Sequence, residues 1–344
     1  MTQKIDISTS TLFRFILIIL GFVFVYLIRD ILLNIFIALI IAAAIDGPVD
    51  WMARHKIRRP IGTAIVYLLV FSLFALFLYA VVPTLSHQLG ALASNLPEYL
   101  NKLGTSFEAL QQKIGPGSLQ NVLNQINDQI SWAGSNVMGA VVNVFGGIFS
   151  AGMILVISVY LVIQDKGIKE FVSSMTPESS QAYVIDLTER VQLKLGSWLR
   201  GQLILMLIMG AIAFAGLSLL GVKFALTLAL VAGLLEIVPY IGPILGSFPA
   251  VALAFLQSPI LALLVIALFI VAHQFENYLI APLVLRRAVG LNPLVIIISM
   301  VIGGNLGGVL GVIVAVPMVA TASVFLSDVF SKEKNKQVIE GSNG

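Results

Sequence analysis

Glu236-Ile-Val-Pro-Tyr-Ile-Gly-Pro243 interrupts the middle of an otherwise apolar run, Phe224–Gln257. Pro239 and Pro243 each remove a backbone donor and block helical continuation. Gly242 permits positive φ or a close approach of two backbones. The interruption therefore frees amides and carbonyls, with a carboxylate beside them. In a bilayer such irregular backbone is tolerated only when buried in protein or lining a wet cavity. Whether this is a membrane segment thus decides the fold.

Composition answers that question. Of 344 residues, 58% are apolar and only 11% charged, and the mean hydropathy is +1.00. Soluble domains carry about 25% charged residues, so this chain cannot cover its surface in water alone. Ordinary cytosolic enzymes, disordered proteins and nucleic-acid-binding domains are excluded at this step. Cysteine is absent, which removes disulfides and thiolate chemistry. His55, His87 and His273 are too few and too scattered for a histidine-built metal centre, and no metal or cofactor is expected.

A helical span needs about 20 mostly apolar residues. Leu12–Ile28, Ile31–Ile45, Ile61–Val82, Val141–Ile163, Gly201–Leu220 and Ile260–Ile280 qualify. They lack strand-like alternation, so a transmembrane barrel is disfavoured. The first two are separated only by Arg29-Asp30, where a tight turn is expected. Two longer runs are broken: Phe224–Gln257 at the stretch quoted above, and Pro293–Phe325 at Gly303-Gly-Asn-Leu-Gly-Gly308. Each reads as one distorted span or as a re-entrant hairpin.

Charge distribution favours hairpins under the positive-inside rule. With both termini cytoplasmic, only Arg29, Lys102, Lys113 and Lys223 lie outside, and the other sixteen basic residues lie inside. Two full spans would move Arg286 and Arg287 outside. The expected fold is an all-α integral membrane protein: a polytopic helical bundle of six full spans plus two re-entrant helical hairpins, with eight spans as the alternative. Residues 1–83 form a three-span segment with a basic cytoplasmic loop. Residues 84–140 form an extracytoplasmic amphipathic segment, and 141–200 a span plus a cytoplasmic amphipathic helix. Residues 201–327 form a transport core, followed by a polar tail, 328–344.

The outer segment shows apolar residues at spacings of three and four, first Leu85 to Leu96, then Leu100 to Ile114. Pro97 is expected to separate the two stripes, and Gly115-Pro-Gly117 to end the second. Pro177–Trp198 carries a similar stripe, with Pro177 in the first helical turn and Thr176 as its cap. Both segments suit packing on the membrane or bundle, or contacts between subunits.

A charge at mid-membrane costs about 2.5–3.5 kcal/mol on insertion scales, and such residues usually mark a pathway. Of seventeen acids, Glu236 and Glu276 alone fall well inside apolar runs; Asp46, Asp165 and Asp328 sit at span ends. Glu236, Pro239, Tyr240, Gly242 and Pro243 form one candidate group for a substrate or ion pathway. A structural kink capped by Glu236 is the plainer reading. His273, Glu276 and Asn277 fall at i, i+3 and i+4 and so share a helix face. They suit proton passage, solute binding, or hydrogen bonds to a neighbouring segment. Alone, His273 reads as a satisfied buried histidine rather than a metal ligand. Asn305, with Gly303, Gly304, Gly307 and Gly308, reads as a hinge or hairpin tip, or as close helix packing. The two broken runs share a layout of two apolar arms about a turn, as an inverted repeat would.

No G-x-x-x-x-G-K-[ST] or H-E-x-x-H run is present. The cluster Arg54-His-Lys-Ile-Arg-Arg59 reads as a topology anchor beside acidic lipid.

Glu236-Ile-Val-Pro-Tyr-Ile-Gly-Pro-Ile-Leu-Gly-Ser-Phe-Pro249 resembles the signature of the autoinducer-2 exporter (AI-2E) family of permeases. His273-Gln-Phe-Glu-Asn-Tyr-Leu-Ile-Ala-Pro282, Gly290-Leu-Asn-Pro293 and Gly307–Pro317 follow in that family's order, and Pro48, Asp165-Lys-Gly167 and Trp198 fit as well. The resemblance spans nearly the whole chain and is specific in its C-terminal half. It implies a prokaryotic inner-membrane transporter, not an enzyme, with homo-oligomeric assembly plausible for the family. Some members are linked to export of autoinducer-2 and others to sodium(lithium)/proton antiport.

Three functions are therefore carried forward. The first is export of a small polar solute, with coupling to H+ or Na+ open. The second is exchange of a monovalent cation for protons. The third is a non-transporting membrane scaffold. The expected partners are lipid, a small solute or cation, and further copies of the chain, but no nucleic acid.

Overall fold

The computed structural model describes residues 9–102, 128, 139, 147–164, 167–284 and 292–342. The described elements are helical. In order they are α1 (Thr9–Leu27), α2 (Arg29–Arg54), α3 (Arg59–Lys102), α4 (Gly147–Ile163), α5 (Gly167–Ser174) and α6 (Glu178–Leu219). Then come α7 (Ala225–Leu235), α8 (Ile241–Gln257), α9 (Pro259–Phe275), a π-helical turn (Glu276–Ile280), α10 (Ala281–Val284) and α11 (Pro293–Ser342). Among the described residues, five helices are long and apolar enough to cross a membrane, or six if the bent pair Phe149–Ile163 and Ile168–Ser174 is one span.

The tight turn expected at Arg29-Asp30 is not there. Only Ile28 (φ −95°, ψ 8°) separates α1 from α2. Helical hydrogen bonds Ile28 N→Phe24 O and Leu32 N→Ile28 O cross the break, so the chain does not reverse. Pro97 does not end a helix either; α3 continues through it to Lys102. The Pro177–Trp198 stripe and the Gly201–Leu220 run are fused in one helix, α6, about 63 Å long at 1.5 Å per residue. Pro177 stands just before that helix, and the Thr176 hydroxyl donates back to Val172 O at 2.7 Å instead of capping it. Gly115-Pro-Gly117, Asp165, Arg286 and Arg287 lie outside the described residues.

Both broken runs fold back on themselves. A Cβ built on Gly246 would stand 2.8 Å from the Ala232 Cα, and one on Gly242 would strike the Leu235 carbonyl. The α7 and α8 backbones therefore touch, with the reversal at residues 236–240. In the second run, Gly307 and Gly308 leave helical geometry, Gly308 at φ 57°. A Cβ on Gly311 would stand 2.7 Å from the Gly303 carbonyl carbon. Eight residues along a straight helix would separate these glycines by about 12 Å.

Four apolar clusters hold the described helices, one of them Leu205, Met209, Ala272 and Ile280 from α6, α9 and the π-helical turn. Val49, Tyr67 and Val162 join α2, α3 and α4. Leu195, Trp198, Met300 and Val316 join α6 to α11, with Ile40 from α2. Leu217, Ala250, Ala254 and Val265 join the lower half of α6 to α7, α8 and α9. Outside these clusters large apolar side chains face outward, such as Leu68, Leu207 and Ile260. A bilayer supplies the matching solvent for that surface.

Polar links mark the ends of the bundle. Arg59 Nη1 and Nη2 reach Asp50 at 2.5 Å and Asp46 at 2.9 Å, and Nε donates to Val162 O at 2.7 Å. One guanidinium thus ties α2, α3 and α4. Arg190 clasps Asp328 with both terminal nitrogens, at 2.8 and 2.5 Å, fixing α11 to α6. The Asp328 hydrogen bond raises the Arg190 pKa further above its ordinary value.

A candidate solute and ion site at the first helix break

Helix α7 ends at Glu236 because Pro239 cannot supply the next helical donor. The last turn tightens instead, with Ile237 N→Leu234 O at 3.2 Å and Val238 N→Leu235 O at 3.1 Å. Tyr240 then takes φ 64°, ψ −45°, a rare conformation for a residue with a side chain. Gly242 N→Val238 O at 2.8 Å closes the reversal. Pro243 falls in the first turn of α8, where its missing N–H has no helical partner to lose.

The break opens onto a cavity of about 490 Å³. Pro239, Tyr240 and Pro243 line it from the reversal, and His273, Glu276 and Asn277 from the end of α9. These two candidate groups, 30 or more residues apart in sequence, thus share one space. Glu236 and Glu276 are 3% and 9% exposed, and they are the charged side chains buried among the described residues. One oxygen of each and one His273 ring nitrogen lie within 4.8 Å of one another.

The face expected for positions 273, 276 and 277 is not a regular α-helical one. Glu276 opens the π-helical turn, which ends with Ala281 N→Glu276 O. The wider turn shifts the helical phase at the carboxylate, and such turns are frequent at functional sites. His273 Nδ1 hydrogen-bonds the Phe269 carbonyl at 2.6 Å. A carbonyl only accepts, so Nδ1 carries a proton, and a neutral ring then has its lone pair on Nε2.

Two lining residues were not singled out as site residues by sequence. Gln202, 2% exposed, donates from Nε2 to Glu236 O at 2.5 Å. Its Oε1 has no hydrogen-bond partner, and neither does the buried Trp198 Nε1. The available signal was a Gln at the start of the Gly201–Leu220 run, where lipid would not satisfy an amide.

Asn305 does not join this group. It is exposed and donates to Val301 O at 2.9 Å on its own helix. Gly303, Gly304, Gly307 and Gly308 belong to the second fold-back; Ile296 and Val316, further down its two arms, do reach the cavity.

The profile of the AI-2E family transporter group matches residues 12–331. "Putative transport protein YueF" of Bacillus subtilis (strain 168) is 29% identical over 309 residues, covering 85% of this chain and 83% of that protein. "Putative transport protein YrrI" of the same strain is 28% identical, covering 87% and 86%. "AI-2 transport protein TqsA" of Escherichia coli (strain K12) is 25% identical, covering 86% of each. With its multi-pass helices and a family match over nearly all of its length, the chain belongs to the AI-2E family of membrane transporters.

Proposed function

We propose that this protein is a secondary permease that exports a small polar solute through the cavity at the first helix break. The observation that carries the proposal is the convergence of Glu236, His273, Glu276 and Gln202 on one space. Carboxylate oxygens accept, while Trp198 Nε1 and the Asn277 amide donate, which matches a solute rich in hydroxyl and carbonyl groups. In this reading the two fold-backs are re-entrant hairpins within a transport core of residues 201–327, and both termini are cytoplasmic in the inner membrane. Their Gly- and Pro-rich tips are the parts that move, with Tyr240 strained at one of them.

The relative named for AI-2 transport makes autoinducer-2 the first solute to test. Proteoliposomes preloaded with it are assayed for efflux with wild type, Glu236→Gln and Glu276→Gln. Wild-type efflux above protein-free vesicles, lost in both variants, is the expected result. Efflux unchanged in both variants would remove the carboxylates from the path. A crosslink between the two arms of either hairpin tip should likewise abolish flux; preserved flux would refute the gating role.

A further inference from the structure

We infer that Glu236, Glu276 and His273, completed by Gln202, form a binding site for a divalent transition-metal cation inside the cavity. Three features support it. First, one oxygen from each carboxylate and one imidazole nitrogen already stand within 4.8 Å of one another. A tetrahedral site with bonds of about 2.0–2.2 Å needs donors ~3.4 Å apart. The remaining contraction is at most about 1.4 Å, within reach of side-chain rotation.

Second, His273 is held as metal-bound histidines usually are. Its Nδ1 is engaged with the Phe269 carbonyl at 2.6 Å, which leaves Nε2 for a ligand. Third, Gln202 is buried at the same cavity, and its Oε1 has no hydrogen-bond partner. A buried amide oxygen normally finds a donor or a cation, so this oxygen is an independent sign of an occupant.

Charge and ligand type select the ion. Two carboxylates this close and this buried cannot both stand ionised without counter-charge. One dication neutralises both. Mg2+ and Ca2+ favour all-oxygen sites, whereas an imidazole with carboxylates suits Zn2+ and its neighbours. Among the described residues, no Lys or Arg side chain lines the cavity to take the cation's place. The proposal concerns equilibrium binding and does not depend on which solute crosses.

Zn2+ is the probe. Tag-free protein in a neutral detergent is titrated with Zn2+ against a chromophoric chelator, with excess Mg2+ in a parallel arm. The expected result is one saturable Zn2+ per chain that Mg2+ does not displace. Glu276→Gln and His273→Gln should each weaken it by more than about tenfold, the least that losing a mere supporting partner costs at metal sites. Circular dichroism and the zinc-free melting point show whether each variant is folded, and either folded variant suffices. Absence of saturable binding to wild type overturns the proposal. So does wild-type affinity in a folded variant, which would move the ion to His55, His87 or the surface. Zn2+ binding without autoinducer-2 efflux would keep this site and discard that substrate; efflux without binding would do the reverse.

Discussion

The side chain of Gln202 holds the carbonyl at the end of α7: Nε2 donates to Glu236 O at 2.5 Å. That carbonyl belongs to the residue where α7 stops, so Gln202 replaces the donor that the break removes. The same contact fixes where the Glu236 carboxylate begins. Replacing Gln202 with Leu preserves bulk but leaves a buried carbonyl without a donor, a loss of about 1–3 kcal/mol. The apparent melting point in detergent should fall, and solute efflux with it. A Gln202→Leu protein as stable as wild type would show that this contact does not support the break.

The second fold-back depends on two glycines that touch. A Cβ on Gly303 would stand 2.9 Å from the Gly311 carbonyl carbon, and a Cβ on Gly311 is 2.7 Å from that of Gly303. These neighbours are backbone and cannot swing aside. Gly311→Ala must therefore part the two arms, costing at least the 1–3 kcal/mol, roughly, of an overpacked core. Gly308 offers a control. It needs φ 57°, ψ −140°, a region essentially reserved for glycine, yet a Cβ there meets nothing within 4 Å, so Gly308→Ala incurs backbone strain without a clash, about 1–3 kcal/mol. Both melting points should fall below that of wild type, and only Gly311→Ala should do so by parting the arms. A Gly311→Ala protein as stable as wild type would argue against tightly packed arms.

What the sequence disclosed follows from what a bilayer penalises. Glu236 and Glu276 were legible because an acid inside an apolar run is costly wherever the run packs. The break at Pro239 and the bend at Gly307-Gly308 were legible because those residues change the backbone locally. Gln202 was not singled out, because its partner lies on α7, and only the α6–α7 crossing brings them together. The π-helical turn at Glu276 was missed because a 3.6-residue period was assumed through it. The fusion of the Pro177–Trp198 stripe with the Gly201–Leu220 run into α6 was missed for a related reason. No Gly or Pro stops the helix between Trp198 and the run beginning at Gly201, and a change of solvent alone does not end one.

Arg200 and Pro48 test a second compensated carbonyl. Pro48 lies inside α2 and has no N–H to offer Ala44 O, four residues back. Arg200 Nη1 donates to that oxygen at 3.1 Å. Arg200→Met should destabilise the protein, because the carbonyl then has neither donor. Pro48→Ala restores a backbone donor to Ala44, so it should recover part of the loss in the Arg200→Met background. A double-mutant cycle on melting points checks this. Strictly additive effects would show that the two residues do not serve the same oxygen.

Arg59 is the position where a conservative change should fail. Its guanidinium uses Nη1 for Asp50, Nη2 for Asp46 and Nε for Val162 O. Three directed donors in one plane are a property of the fork, and a lysine ammonium is a single point of charge on a flexible stem. Arg59→Lys keeps the charge but can serve only part of this set, so helices α2, α3 and α4 lose a common anchor. Arg59→Ala also takes the guanidinium away from Asp46 and Asp50. Stability should therefore fall in the order wild type, Arg59→Lys, Arg59→Ala. Adding Asp50→Asn to Arg59→Ala should recover part of the difference, since it removes one of the two like charges. Thermal unfolding of the four proteins in one detergent and at one salt concentration provides the comparison. An Arg59→Lys variant equal to wild type would reduce this residue to a surface charge.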